Sequence, residues 1–192
     1  MREISLHILD IVQNSIEAGA TLIEIDVTED EKSDVLSFTV SDNGKGMTAE
    51  MTERAQDPFV TSRTTRRVGL GIPLAKLACK MSGGSFSIKS KSGEGTTVTA
   101  TFGYSAIDRR PLGDMAKTVY LLITANSGLD FRYRHTVNKK EFVVDTQKIR
   151  EILDGVPITE YKAAEWLFDY LENGEEQLKE YYAHDICGKE LV

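Results

Sequence analysis

The stretch Val35-Leu36-Ser37-Phe38-Thr39-Val40-Ser41-Asp42-Asn43-Gly44-Lys45-Gly46 decides how this chain is read. Its first eight residues alternate apolar and polar, the period-two pattern of a half-buried strand. The alternation ends on a carboxylate, and Gly44 and Gly46 follow directly. A carboxylate fixed at a strand end is an acceptor for an exocyclic amino group such as that of adenine. The glycines let the backbone turn tightly and approach a flat ligand. A plain glycine turn has the same composition, so the flanking sequence must decide.

Toward the N-terminus, residues 22–29 alternate in the same way, and the charged residues 29–34 read as the turn of a hairpin. Before them, Ile4, Ile8, Ile11, Val12 and Ile16 recur at three- and four-residue steps. That spacing predicts an amphipathic helix over about residues 3–18, closed by Gly19. Asp10 and Asn14 lie one turn apart on its polar face, with Glu17 nearly above them. A neutral amide oxygen ligates magnesium without adding charge beside a polyphosphate. A carboxylate one turn earlier suits a general base. A polar face turned to solvent fits the same residues.

Toward the C-terminus, a short helix after Thr48 leads into the irregular run 57–68, DPFVTSRTTRRV. The aromatic Phe59, then hydroxyls, then Arg63 suit a lid over phosphates, and Arg66 and Arg67 add cations. Gly69-Leu70-Gly71 opens a helix with Pro73 in its first turn, ending at Gly83-Gly84. The free N–H groups and dipole of such an N-terminus attract phosphate. Strands over 85–91 and 96–102 follow, joined by the turn 92–95.

Residues 1–105 therefore read as an α+β unit with helices on one face of a mixed, largely antiparallel sheet. Residues 106–192 read as a second, small α+β unit. It holds a helix from Pro111 to about Ser127, a hairpin turning at Val137–Lys139, and two or three closing helices. In the last part, Trp166, Leu167, Phe168, Tyr170 and Leu171 read as helix core or as a docking face. His7 and His135 read as structural, and His184 with Cys187 as an incidental pair.

The 192 residues are 41% hydrophobic and 28% charged, enough to build a core. A net charge of −7 without a dense basic run excludes coating of nucleic acid. Two distant cysteines, Cys79 and Cys187, form no disulfide framework. With neither a signal peptide nor an apolar run of about 20 residues, a soluble cytoplasmic protein is expected.

Taken in order, the Asn14 motif, Asp42-x-Gly44-x-Gly46, the Phe59 segment, Gly69-Leu70-Gly71 and the closing strand GEGTTVTATF resemble the GHKL ATP-binding domain over about residues 5–103. Histidine kinases, gyrase-like ATPases and anti-sigma kinases share this Bergerat-type α/β sandwich. The run from Asp57 to Phe102 is similar to nitrogen-regulator-class histidine kinases. Residues 13–27 instead resemble mismatch-repair and gyrase-like ATPases. The resemblance implies ATP and Mg2+ as cofactors. Asn14 would ligate magnesium, and Asp42 would read the adenine amino group. Gly44, Gly46 and Met47 would line the base, with Thr96 and Thr97 backing it. Phe59 and Arg63 would belong to the lid, and Gly69, Leu70 and Gly71 would hold phosphate. Asp10 and Arg63 are the expected catalytic residues.

Three departures stand out. Glu17 occupies a position where many kinases carry lysine, and Arg67 one where glycine often stands. Only thirteen residues precede Asn14, leaving no room upstream for a phosphoacceptor-histidine hairpin. The expectation is a stand-alone domain in signal transduction with an unidentified protein partner, and a homodimer is compatible. Three uses remain open: a kinase acting on that partner, a slow ATPase that switches conformation, and a non-catalytic ATP-gated module.

Overall fold

The computed structural model describes residues 2–57 and 71–187, with 181–187 as backbone alone. The elements run α1 (Ile4–Glu17), β1 (Leu22–Asp30), β2 (Val35–Asp42), α2 (Ala49–Arg54), α3 (Gly71–Met81), β3 (Phe86–Lys91) and β4 (Gly95–Gly103). They continue with α4 (Met115–Ala125), β5 (Asp130–Val137), β6 (Lys140–Asp145), α5 (Thr146–Leu153) and α6 (Tyr161–Cys187).

The six strands of the described residues form one sheet in the order β3-β4-β2-β1-β5-β6. Every neighbouring pair is antiparallel except β1 with β5, so the sheet is mixed and largely antiparallel, as the alternation implies. The register sorts side chains by parity. Ile23, Ile25 and Val27 stand beside Asp42, Val40 and Phe38 on one side and beside Phe131, Tyr133 and His135 on the other. This face is buried under the helices. The opposite face carries a hydroxyl ladder, Thr39 with Thr99 and Ser41 with Thr97, and the cross-strand ion pairs Arg132–Glu24 and Arg134–Asp26.

Helix α1 covers the sheet through Ile4, Ile8, Ile11 and Val12, all buried. Its polar edge, with Asp10 and Asn14, is thereby aimed along the sheet surface. Gly19 (φ 75°) closes it, its N–H donating to the Ile16 carbonyl. The N-terminus has no side-chain cap; instead the Ile4 and Ser5 N–H groups donate to the carbonyls of Pro111 and Leu112. This corrects the reading of Pro111 as a helix start. Residues 104–114 are a strap across the end of α1. Gly113 (φ 91°) turns the chain, and Asp114 caps α4 by accepting from the Lys117 N–H. Proline rigidity at Pro111 serves the strap, and its carbonyl satisfies a helix end elsewhere in the fold.

The hairpin β5–β6 continues the N-terminal sheet through β1, so residues on both sides of position 105 share one sheet. Two helices, α5 and α6, end the described residues. Leu167 and Leu171 of α6 are core, while Trp166 and Tyr170 stack on each other at 5.3 Å and remain 42% and 39% exposed. Among the described residues, no helix is long and apolar enough to cross a membrane.

Candidate functional site

Asp42 is the last residue of β2, and its parity points it to the helix face, where α1 ends. The Ser15 hydroxyl on α1 donates to its Oδ2 at 2.6 Å, and the Gly44 N–H donates to its Oδ1 at 2.9 Å. Both oxygens are held, each from one direction, and each keeps acceptor capacity. A carboxylate oriented in this way presents a fixed hydrogen-bonding edge rather than a mobile charge.

The loop after Asp42 is fastened on all sides. Asn43 Oδ1 accepts from the N–H groups of Thr21 and Leu22, and its Nδ2 donates to Thr21 Oγ1. The Lys45 N–H donates to the Ala18 carbonyl at the end of α1, and the Gly93 N–H to the Lys45 carbonyl. The Met47 N–H donates to Ser90 Oγ. At Gly46 (φ 61°) an added Cβ would fall 2.0 Å from the Lys91 carbonyl oxygen, so the β3–β4 turn lies directly on this glycine. At Gly44 a Cβ would meet Ala18 at 3.0 Å. Both glycines are required for close approach, but the backbone they admit is the protein's own.

Thr96 stands opposite Asp42 on β4 and shares its face, its hydroxyl bonded to Ser90 Oγ at 2.9 Å. Thr97 is one residue on, and its Oγ1 pairs with Ser41 Oγ at 3.0 Å on the other face. A cleft of about 260 Å³ opens at this end of the sheet, bordered by Asp42, Ser90, Gly95, Thr96 and Thr97, with Lys89, Lys91 and Glu94 around it.

Asp10 and Asn14 are half-buried on α1 and engaged with their surroundings. Gly71, the first residue of α3, lies against Asp10: a Cβ there would meet Asp10 Cβ at 2.9 Å and Oδ2 at 3.0 Å. The start of α3 and the polar edge of α1 thus form one locus. Lys76 Nζ donates to Gln56 Oε1, tying together the chain on either side of residues 58–70. Phe59, Arg63, Arg66, Arg67, Gly69 and Leu70 lie outside the described residues. Two members of the site escaped the sequence reading, Ser15 and Asn43. Each sat inside a quoted motif, but only the folded register shows what its side chain holds.

Residues 2–105, more than half of the chain, match the model of the histidine kinase-, DNA gyrase B- and HSP90-like ATPase family. The chain belongs to that family. Domains of this GHKL family bind ATP with Mg2+, and this one is related to the catalytic regions of histidine kinases. It is 32% identical over 109 residues to the non-motile and phage-resistance protein of Caulobacter vibrioides, covering 52% of this chain and 13% of that protein. It is 33% identical over 99 residues to sporulation kinase D of Bacillus subtilis, covering 52% of this chain and 19% of the kinase. The match thus spans less than a fifth of either relative. Among solved structures, the N-terminal domain of a DNA repair protein superposes with a TM-score of 0.53 at 16% identity, covering 82% of this chain and 59% of that one, a likeness of fold. The donor set of this GHKL domain fits ATP with magnesium: an anchored carboxylate at the strand end, an amide on α1, and a helix start against α1.

Proposed function

We propose that this GHKL domain binds ATP with magnesium at the Asp42 end of the sheet and uses it for phosphoryl transfer to a protein partner. The observation that carries the reading is the Asp42 carboxylate, clamped by Ser15 Oγ at 2.6 Å and the Gly44 N–H at 2.9 Å. In that reading Asp42 accepts from the adenine amino group, and Met47 and Thr96 border the base. Gly44 and Gly46 supply the floor. Asn14 would offer its amide oxygen to magnesium, and Gly71, with the motif residues Gly69 and Leu70, would hold the phosphates. The resemblance would assign Phe59 and Arg63 to a lid. Bound Mg-ATP supplies an activated γ-phosphoryl group with part of its charge neutralised. The chain would supply orientation and exclusion of water, and Asp10 Oδ2, beside Gly71, would accept a proton from the attacking group.

Kinase chemistry is favoured over bare hydrolysis because the relative in Bacillus subtilis, like others near 30% identity, is named a kinase. A second reading, an ATPase that switches conformation, is favoured by one feature: β5 of the C-terminal unit pairs directly with β1. One experiment separates them. The chain is incubated with magnesium and γ-labelled ATP, alone and with extract, with Asp42→Asn as blank. Label on a protein above the blank supports the kinase, and free phosphate from the chain alone supports the switch. ATP binding without either leaves an ATP-gated module. Equal ATP binding by the chain and the blank overturns the site itself.

A further inference from the structure

At the end of the sheet far from Asp42, two strands and a helix bring a second polar cluster together. Glu29 stands beside Leu36, six residues along β2 from Asp42, about 20 Å at strand rise. Glu175 lies on the packing face of α6 between Leu171 and Leu178 and is 4% exposed. A buried glutamate is rare unless it is paired. Its Oε1 accepts from the Tyr133 hydroxyl at 2.6 Å and its Oε2 faces His135 Nδ1 at 2.9 Å. The other ring nitrogen, His135 Nε2, faces Glu29 Oε1 at 3.2 Å.

A neutral imidazole carries one N–H and one lone pair. Between two carboxylates it would set that lone pair against an oxygen at one end. Only the doubly protonated ring donates to both. We infer that His135 is an imidazolium cation, and that this buried charge is the lock that seats the middle of α6 on the sheet.

The charges around the ring support this. Glu175 and Lys179 approach from α6, Glu29 from β1 and Tyr133 from β5; Tyr104, with Arg109 over its ring at 5.0 Å, approaches from the segment after β4, and β6 contributes the uncharged Phe142. Without the proton, two carboxylates would share a buried site with Lys179, an exposed side chain, as their cation. Burial opposes the charged ring, but the hydrogen bonds and charges of Glu175 and Glu29 prevail and raise its pKa to about 9. Beside the cluster lies a cavity of about 240 Å³, bordered by Tyr104, Val137, Leu178 and Lys179. The seat of α6 thus combines the buried Leu167, Leu171 and Leu178 with this charged cluster. The cavity also gives the ring proton a path to solvent.

The folded pKa, about 9, exceeds the unfolded value of 6.5. The lock is therefore complete below about 6.5 and fails as pH rises through about 9, when the proton leaves to water. The lock is distinct from the nucleotide site and does not depend on how that site is used.

Long-range 1H–15N correlation of the histidine rings in the full chain tests it, with His135 assigned by its absence in His135→Asn. Both ring nitrogens should show the imidazolium pattern at neutral pH and keep it beyond pH 8. A neutral tautomer at neutral pH overturns the inference. Glu175→Gln should lower the His135 midpoint by about one unit or more and speed amide exchange over residues 171–180 about tenfold, leaving α1 unchanged. Unchanged exchange there overturns the lock. Should Glu175→Gln fail to fold, Glu29→Gln should lower the midpoint in the same direction by a smaller amount and speed exchange over residues 171–180, and unchanged exchange there overturns the lock.

Discussion

Asp42, Ser15 and Gly46 shape the proposed nucleotide end through three kinds of interaction, and each kind has its own signature on substitution. Asp42→Asn replaces one acceptor oxygen by a donor, so the amide can no longer take both the Ser15 hydroxyl and an incoming amino group. ATP affinity should fall by about ten- to a hundredfold, the worth of a hydrogen bond to a charged group, while the melting temperature changes little. Titration calorimetry with the thermal melt as control measures both. Ser15→Ala removes the 2.6 Å partner of Oδ2 and frees the carboxylate to rotate. A smaller loss, about three- to tenfold, should appear in the same titration. Gly46→Ala differs in kind: it sets a Cβ 2.0 Å from a backbone oxygen at φ 61°, so stability should drop before affinity is measurable. At the buried His7, burial, helped by the N-terminal charge and Arg110, lowers the ring pKa to about 4, and Nδ1 has no hydrogen-bond partner among the described residues. A base whose folded pKa lies below 6.5 contributes stability above that value and loses it as pH falls toward 4. His7→Leu should flatten the acid side of the stability–pH curve in urea melts, by on the order of 2 kcal/mol.

Among the elements, the strands were the most legible. Period-two alternation gave β1 and β2 to within a residue, because every second residue along most of each is buried. Helix α1 was legible for the same reason. What escaped was pairing at a distance. No local pattern says that β5 lies parallel to β1, or that the carbonyls of Pro111 and Leu112 finish α1, since both depend on contacts about a hundred residues apart. Ser15 and Asn43 were hidden likewise, as their partners are set by tertiary register. Helix α6 carries a further element-scale feature in Gly174, where a Cβ would fall 2.2 Å from the Phe142 ring. A glycine in mid-helix costs roughly 1 kcal/mol against alanine, so the close approach to β6 offsets a local penalty. Gly174→Ala should destabilise by about 1–3 kcal/mol despite its better helix propensity. Adding Phe142→Leu should recover part of that loss, and a double-mutant cycle in chemical denaturation measures the coupling.

For the molecule as a whole, the question is whether residues 1–105 stand alone, since the family match covers residues 2–105. The chain past that point supplies three things to the first half. It pairs β5 along β1 from Leu22 to Glu29, accepts the first N–H groups of α1 through the strap, and covers the sheet with α4 and α6. Removing it would open an edge at β1 whose helix-facing side chains Ile23, Ile25 and Val27 are now fully buried. It would also leave the end of the helix that carries Asp10 and Asn14 without acceptors. Burying one such side chain is worth about 1.5–3 kcal/mol, so exposing even part of this strip rivals the net stability of a small domain. A fragment of residues 1–105 should therefore fail to give a cooperative thermal melt and should bind ATP weakly or not at all. The full chain is expected to do both. A dispersed amide spectrum and full-chain ATP affinity from the fragment would mean instead that the C-terminal unit is an attachment to an already complete site. In that case β1, left as an edge, must be protected by the loops around it rather than by β5.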